Sequence, residues 1–518
     1  MPENPNRNEP ERVFIRQATG LIKNVSLLDS IAINISYMSI GAALALIGFT
    51  MVLLPTVDGV NLVYGSAIAA ILALPQMVVY TIMQRHVSRT GGDYVWMSRS
   101  LGGFAGSTLT FMGMTLETMP YLALIALSVV FAIGSVGVNL GYSGVTNLSI
   151  GGAEPVLQFV IASLVFAFLV LLNIFKPRAG FRIISVFWAI GILAIVVSVA
   201  SLLFAGREGV VNYVNGLNIA NTTYTSVAAS YTGTSTFNFA NTLLIMPFFA
   251  LFSYPWFNAA PSVGSELRGG TTIRWTTPIS LLVAFILLTV PFAAMYYVGG
   301  FAFTNAALSN PKLVYDNSFN FWTLAMGVSS SFVVKFVIGL GWILFTVAVL
   351  AFGIITISRY LLAQAFDRFL PERLAYVSPK YGSPVIAHVI DLVITIVLIG
   401  LASFLYGTLY SLYGVLVAAM IYFAFVGLAA IVYAWKQLSR GGNEKIVLAI
   451  AGLLQILVFS YLTYEFIAYG GVWGGNALAY GYVVASFVAG VVIFFVSRSR
   501  QKARGIDISY AFREIPPE

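Results

Sequence analysis

Long runs of apolar residues alternate with short polar segments along almost the whole chain. An α-helix needs about 20 mostly apolar residues to cross the roughly 30 Å hydrocarbon core of a bilayer. Twelve runs approach or exceed this length, without the alternating pattern of a membrane β-barrel, and predict an all-α membrane protein with twelve transmembrane helices. The predicted spans are 30–54, 63–83, 104–133, 156–174, 183–204, 241–263, 278–303, 332–357, 385–406, 412–434, 446–468 and 476–496.

Positive charge is sorted to one side of this arrangement. Of the 27 Lys and Arg residues, 24 fall in segments that share one side when the spans alternate. Because basic residues close to spans are retained in the cytoplasm, we expect a multi-pass protein of the cell membrane with both termini cytoplasmic. The segments are 1–28, 84–103, 176–182, 265–275, 358–384, 435–445 and 497–518.

Composition supports a membrane protein and excludes several other classes. Hydrophobic residues make up 59% and charged residues 9%, against roughly 45–50% and 25% in soluble domains. The net charge of +8 reflects the cytoplasmic bias, so a lipid bilayer is the expected partner and nucleic acid is not. With no Cys, two His and none of the common catalytic motifs, the chain is predicted not to be an enzyme, and neither a metal site nor an organic cofactor is indicated.

Two spans carry residues that interrupt helices. Residues 34–45 of the first span, NISYMSIGAALA, place polar and small residues in the middle of an apolar run. The sixth span contains Pro247, Pro255 and Pro261, each of which removes a backbone donor. The two spans are five apart, which is the spacing of two inverted repeats whose broken helices face each other, here 29–204 and 241–434. The alternative is that Pro and Gly kink these helices without a functional role.

Two predicted cytoplasmic loops carry motifs that resemble the amino acid-polyamine-organocation (APC) superfamily of permeases. The loop after span 2 has the Gly-Gly-acid-Tyr signature, and the loop after span 8 has Ser-Arg, Leu-Pro and Gly-x-Pro. The matching residues are Gly91, Gly92, Asp93, Tyr94, Ser98, Leu101 and Gly102 in the first loop, and Ser358, Arg359, Leu370, Pro371, Gly382 and Pro384 in the second.

The resemblance implies a fold of the leucine-transporter type, with a 5+5 inverted repeat and two peripheral helices in 446–496. It also implies secondary active transport of amino acids or related amines by alternating access. The site would lie between the broken helices, and this chain departs from the family where Gly-x-Gly is reduced to Gly41 and where Trp256 replaces a Gly. The substrate-binding residues implied are Ser36, Ser39, Ile40, Gly41, Ala42, Ala43, Glu117, Phe252, Ser253, Tyr254 and Trp256.

Glu117 is the acidic residue that lies deepest in a predicted span. It lies 13 residues into span 3, close to the bilayer midplane. Because charges in hydrocarbon are costly, we expect Glu117 to couple transport to an ion or to recognise the substrate. The alternative is a protonated glutamate that ties this helix to a neighbour. His388 and Asp391, one turn apart in span 9, are predicted to pair or to anchor the helix at the interface.

The coupling ion is less well defined by the sequence. Span 5 lacks the Lys that stands in for sodium in many proton-coupled relatives, and Thr346 in span 8 lacks the neighbouring hydroxyl of sodium-coupled relatives. Proton symport through Glu117 or exchange is therefore the expected mode, with Thr346 as a second coupling candidate. A sodium-coupled symporter of the same fold is the alternative, and a channel is less favoured because no filter-like segment is present.

Overall fold

The computed structural model describes residues 23, 25–148, 154–219, 222–315, 318–406, 409–438 and 442–515. Most of the predicted tail 1–28 and the last residues of 497–518 lie outside this part of the chain. Within it the secondary structure is helical apart from two isolated β-bridges, so the all-α prediction is confirmed.

Twenty-one α-helices are described, and α5 and α6 are joined by a π-helix, Phe111–Leu116. They are α1 (Leu27–Tyr37), α2 (Ile40–Leu53), α3 (Leu62–His86), α4 (Asp93–Ser100), α5 (Gly103–Thr110), α6 (Glu117–Asn139), α7 (Pro155–Phe175), α8 (Pro177–Gly216), α9 (Tyr224–Ala229), α10 (Phe239–Leu243), α11 (Met246–Phe252), α12 (Ala259–Ser262), α13 (Gly270–Gly299), α14 (Phe301–Leu308), α15 (Pro311–Tyr315), α16 (Phe321–Gly327), α17 (Phe332–Phe366), α18 (Val385–Leu401), α19 (Val417–Lys436), α20 (Gly442–Ala468) and α21 (Ala477–Ala503). Short 3₁₀ and π segments flank some of them, including Ile508–Phe512 in the C-terminal tail.

Eleven helical stretches of the described chain are long and apolar enough to cross a membrane, which makes this a multi-pass membrane protein. The stretches α1–α2, α5–α6 and α17 are almost entirely buried inside the bundle. By contrast, α7, α8, α20 and α21 expose many Leu, Val and Phe side chains at its periphery. Because an all-apolar exterior is stable only against lipid, these four helices face the bilayer.

The first and sixth predicted spans are the interrupted ones. α1 ends at Tyr37, Met38 is extended (φ −73°, ψ 105°), and α2 begins at Ile40. In the sixth region, Pro247 opens α11, and an unwound stretch, residues 253–258, contains Pro255 before α12 begins. Each Pro lacks the N–H that would continue the preceding turn. Residues 241–263 therefore form short helices rather than one long span.

Two predicted outer connections contain more helix than the sequence indicated. α8 continues to Gly216, well past the predicted end of span 5 at residue 204, with a kink at Gly206 (φ 60°). Residues 304–331, which connect predicted spans 7 and 8, include the helices α15 and α16. The physical reason is burial, because Phe321 and Trp322 pack into the core and the indole N–H of Trp322 donates to the Gly41 carbonyl at 2.9 Å.

Several of the basic segments meet at one end of the bundle. Arg359 on α17 forms a buried ion pair with Glu266 at 2.9 Å. The loop after α3 lies along the chain that follows α12: Gly91 N donates to the Ser262 carbonyl at 2.8 Å, and Ser88 Oγ donates to the Gly264 carbonyl at 2.9 Å. We call these two stretches, residues 88–93 and 261–267, the inner seam.

A second buried ion pair joins α4 to the end of α17 and to the C-terminal tail. The guanidinium of Arg99 binds both carboxylate oxygens of Asp367, and it also donates to the Ala511 carbonyl at 3.0 Å and the Glu514 carbonyl at 3.2 Å. Burial of Asp367 would be costly without a cation beside it.

We expect Arg99→Met to destabilise the protein by about 3–5 kcal/mol, because the buried Asp367 carboxylate loses the cation that balances its charge. Arg85→Met is the matched control: Arg85 pairs with Glu444 at a half-exposed site, so its loss should cost less than about 1 kcal/mol. Thermal unfolding of the detergent-solubilised variants measures both. Equal effects of the two substitutions would contradict this account.

Candidate substrate site between the broken helices

The break in the first helix is held by a tyrosine of α6. The Tyr121 hydroxyl bonds the hydroxyl of Ser39 and donates to the Tyr37 carbonyl at 3.3 Å. Ser39 also accepts, through its carbonyl, from the N–H of Ala43 at 2.8 Å, which starts the next helix. The chain therefore turns at Met38 and Ser39 without leaving the bundle.

The break in the sixth helix is held by two side chains. Gln76 of α3 donates through Nε2 to the Pro255 carbonyl at 2.8 Å. The indole N–H of Trp256 donates back across the break to the Leu251 carbonyl at 2.9 Å. These bonds satisfy carbonyls that the missing helical turn leaves without a helical donor.

The two breaks contact each other directly. The side-chain carbonyl of Asn34, in α1, accepts from the backbone N–H of Ala260, in the first turn of α12, at 2.8 Å. The rings of Tyr37 and Trp256 meet edge to face, with centroids 5.5 Å apart. The unwound segments of the first and sixth helices thus form one continuous site inside the bundle.

Aromatic rings fill the centre of this site. Trp256 is fully buried and stacks on Tyr121 of α6, with centroids 5.0 Å apart and planes 19° apart. Phe423 of α19 packs against the other side of Trp256 at 5.8 Å. Because a large indole stands where the chain is unwound, a ligand must share this volume with Trp256 or displace it.

Glu117 lies beside this aromatic cluster, at the end of the π-helix in the third span. It is fully buried, and neither carboxyl oxygen has a hydrogen-bond partner among the described residues. The residues on either side of Glu117 in the sequence do have hydrogen-bond partners. The Thr118 hydroxyl lies 3.5 Å from the Tyr37 hydroxyl, and the Leu116 carbonyl accepts from the Tyr482 hydroxyl at 2.7 Å. An unpartnered buried carboxyl group is costly, and a proton or a cationic ligand group relieves the cost.

Comparison with known proteins connects this geometry to a family. The model of a family described as amino acid permease matches residues 25–499, which is nearly the whole chain. The chain belongs to the amino acid permease family. The family is one of amino acid transporters and not a class of enzymes. The resemblance to the APC superfamily is thereby confirmed.

A viral protein also shows partial similarity. Over 101 residues the permease is 28% identical to "Uncharacterized protein 399" of Sulfolobus islandicus rod-shaped virus 1. This stretch is 20% of the permease and 24% of the viral protein, so the permease matches about a quarter of that relative's length.

The permease brings most of the predicted site residues to the two breaks. The hydroxyls of Ser36 and Ser253 are buried there with no hydrogen-bond partner in the part of the chain that the structure describes, and the Gly41 carbonyl accepts from Trp322. Other predicted residues contribute packing. These are Ile40, Ala42, Ala43 and Phe252, all buried.

Two predicted residues use their hydroxyl groups in bonds to other parts of the bundle. Tyr254 turns toward α3, where its hydroxyl lies 2.7 Å from Ser66 Oγ, because the unwound chain rotates it out of the Trp256 cluster. Thr346 donates to the Trp342 carbonyl of its own helix at 3.0 Å, as hydroxyls in transmembrane helices commonly do. The predicted roles of both residues stay predictions.

His388 and Asp391 are not interfacial anchors. Both are buried, at 2% and 0% exposure. Asp391 instead accepts from Thr395 on its own helix at 3.0 Å, and His388 Nδ1 has no hydrogen-bond partner among the described residues. The helix α18 packs against α6, α7 and α17, which the hydrophobic pattern of span 9 alone did not indicate.

The structure requires glycine at both glycine positions of the Gly-Gly-acid-Tyr signature, because other parts of the chain approach them closely. Gly91 and Gly92 have positive φ values of 88° and 42°. A Cβ atom at Gly92 would lie 2.7 Å from the backbone carbon of Pro261, and one at Gly91 would lie 2.4 Å from Ala363 Cβ. Only glycine lets the loop take this conformation against α12 and α17.

Polar residues that sequence reasoning did not select complete the site. Asn34, Gln76 and Asn258 each bond across a break or beside it, and Asn258 Nδ2 donates to the Tyr360 hydroxyl at 3.1 Å. Their signal in the sequence is a single amide in an otherwise apolar run, which is costly in hydrocarbon unless it is paired.

Proposed function

We propose that the protein carries an amino acid or a related amine across the cell membrane by alternating access around the two breaks. In this proposal the chain crosses the bilayer twelve times. Helices 1–5 (29–204) and helices 6–10 (241–434) form two inverted repeats of the leucine-transporter type, and the helices of 446–496 are peripheral.

One observation carries the proposal: the broken first and sixth helices touch each other beside an unpartnered carboxyl group. Asn34 bonds the start of α12 at 2.8 Å, and Glu117 adjoins the same cluster. A zwitterionic or amine ligand needs polar groups of both signs in a place shielded from water. The hydroxyls of Ser36 and Ser253, which have no partner among the described residues, and the buried carboxyl of Glu117 supply such groups.

The meeting of basic segments supports the orientation with both termini in the cytoplasm. Arg85, Arg99 and Arg359 come from segments that the sequence assigned to one side, and their ion pairs lie among the inner connections of the bundle. We therefore assign the inner seam and the tail helix Ile508–Phe512 to the cytoplasmic face.

For coupling we propose proton symport or exchange through Glu117. The alternative of a protonated glutamate that ties α6 to a neighbour has no support in the hydrogen bonds of the described residues. Sodium coupling remains the second candidate, but the internal bond of Thr346 to Trp342 does not favour it. A channel is third, because the aromatic cluster fills the space between the breaks.

Counterflow in proteoliposomes tests this function. Vesicles loaded with an unlabelled amino acid mixture are diluted into single labelled amino acids or polyamines. We expect at least one labelled compound to accumulate transiently above its equilibrium level, with saturable initial rates. Equilibration without overshoot would indicate a channel, and failure of every amino acid and amine to enter would contradict the proposal.

A further inference from the structure

Asp93, the acidic residue of the Gly-Gly-acid-Tyr signature, is a fully buried carboxylate at the inner seam. It begins α4, directly after the two close-packed glycines. The Tyr80 hydroxyl of α3 donates to one carboxylate oxygen at 2.6 Å, and the Tyr360 hydroxyl of α17 donates to the other at 2.6 Å. Asp93 thus joins α3 and α17 to the start of α4.

The groups that face this carboxylate, in the part of the chain that the structure describes, are neutral. Those groups are the hydroxyls of Tyr80 on α3, Tyr360 on α17 and Tyr422 on α19, together with the backbone N–H of Tyr94 on its own helix. Hydrogen bonds from neutral donors stabilise the ionised form only in part. The stability of this buried cluster therefore depends on whether Asp93 is ionised.

Tyr360 also links Asp93 to the broken sixth helix. Tyr360 donates to Asp93 and accepts from Nδ2 of Asn258, the residue that precedes α12, at 3.1 Å. The backbone of the loop makes a second link, since Gly91 N donates to the Ser262 carbonyl at 2.8 Å. Asp93 and α12 cannot separate unless both links break.

We propose that Asp93 is a positioning residue whose protonation holds the inner seam closed and whose ionisation favours its opening toward the cytoplasm. This inference rests on the proposed alternating-access function. It assigns to Asp93 a role in proton-dependent gating that is separate from the substrate site at Glu117.

The direction of this pH dependence follows from the surroundings of the Asp93 carboxyl group when the inner seam is closed and when it is open. With the seam closed, burial raises the pKa of Asp93 from 3.8 to about 6, although the bonds from Tyr360 and Tyr80 lower it in part. Once the seam opens, water reaches the carboxyl and its pKa falls back toward the ordinary value. The closed state therefore binds the proton more tightly, and opening becomes more favourable as pH rises from about 4 to about 6.

The absence of Cys from the sequence allows a direct test. Ser265→Cys places a thiol in the closed seam, where the native residue is 3% exposed, and Ala503→Cys places one at an exposed position. Both cysteines are labelled with a methanethiosulfonate reagent in detergent, and the rate at Ser265→Cys is divided by the rate at Ala503→Cys. Because pH changes the ionised fraction of both thiols alike, this ratio removes that contribution. We expect this ratio to rise roughly tenfold to a hundredfold between pH 4 and pH 6 and then to level off.

Two substitutions distinguish Asp93 from other titrating groups. Asp93→Asn should abolish the pH dependence of the ratio, whereas Asp507→Asn, which changes an exposed Asp in the tail and preserves its helix cap, should not. Tyr80→Phe removes a donor to the ionised carboxylate and should move the midpoint to higher pH, which tests the role even if Asp93→Asn does not fold. Tyr360→Phe should do the same and also speed labelling at every pH, since it cuts the link to Asn258.

An unchanged pH profile in Asp93→Asn, or an unmoved midpoint in Tyr80→Phe, would overturn the proposal. A flat ratio in the parent protein would overturn it as well. These readouts require no transported substrate, so a failure here is separate from a failure of the counterflow assay.

Discussion

Replacement of Glu117 by Gln is expected to abolish accumulation driven by a proton gradient while counterflow of the same substrate persists. Gln keeps the size and hydrogen-bonding capacity of the side chain, but it cannot take up and release a proton. The carboxyl oxygens of Glu117 have no partner among the described residues, so the substitution breaks no observed bond. We expect gradient-driven uptake in proteoliposomes to fall at least tenfold, with a flattened pH dependence.

Glu465→Gln is the matched control, because Glu465 is also a buried glutamate in a membrane helix but lies on the peripheral helix α20. It should retain gradient-driven uptake. If Glu117→Gln preserved both accumulation and its pH dependence, Glu117 would not be the coupling group. Loss of counterflow together with accumulation would show that ligand binding requires the charge of Glu117 and not only the polar contact that Gln retains.

Replacement of Trp256 by Ala should have the largest effect on stability and selectivity. The indole is fully buried and contacts Tyr121, Tyr37 and Phe423, and its N–H spans the break to Leu251. Truncation of a buried Trp to Ala typically costs about 3–5 kcal/mol, because it leaves a cavity as well as losing contacts. The same cavity would enlarge the substrate site.

Thermal unfolding in detergent and the uptake ratio of phenylalanine to alanine measure the two consequences. We expect Trp256→Ala to lower the unfolding temperature and to raise that ratio. Trp256→Phe should fall between the parent and Trp256→Ala, since it keeps a ring but loses the bond to Leu251. Trp435→Ala, at an exposed position, should change neither quantity. Normal stability and selectivity in Trp256→Ala would show that the indole does not shape the site.

The sequence predicted those features that depend on local composition. Apolar runs marked the membrane helices, and Pro255 together with the small residues around Ser39 marked the two breaks, because an interrupted helix needs residues that cannot continue a turn. Glu117 was found because a carboxyl group in an apolar run is rare.

Features that depend on distant partners were not predictable in this way. In the sequence, Asp93 is recognisable only as part of the Gly-Gly-acid-Tyr motif. Its burial depends on Tyr80 and Tyr360, which lie on other helices. The direction of Tyr254 was missed because it depends on how the chain rotates in the unwound stretch. The core position of Trp322 was missed because its apolar segment is too short to predict a membrane span.

The central claim is that a substrate site at the two breaks opens alternately to each side of the membrane. A single cysteine at Ser253, in a chain that otherwise has none, tests this most directly in proteoliposomes of known orientation. A membrane-impermeant reagent should reach it from either side, and the amino acid that gives counterflow should slow both reactions, but not the labelling of Ala503→Cys. If labelling of the cysteine at Ser253 were unaffected by that amino acid from both sides, the site would lie elsewhere and the claim would be wrong.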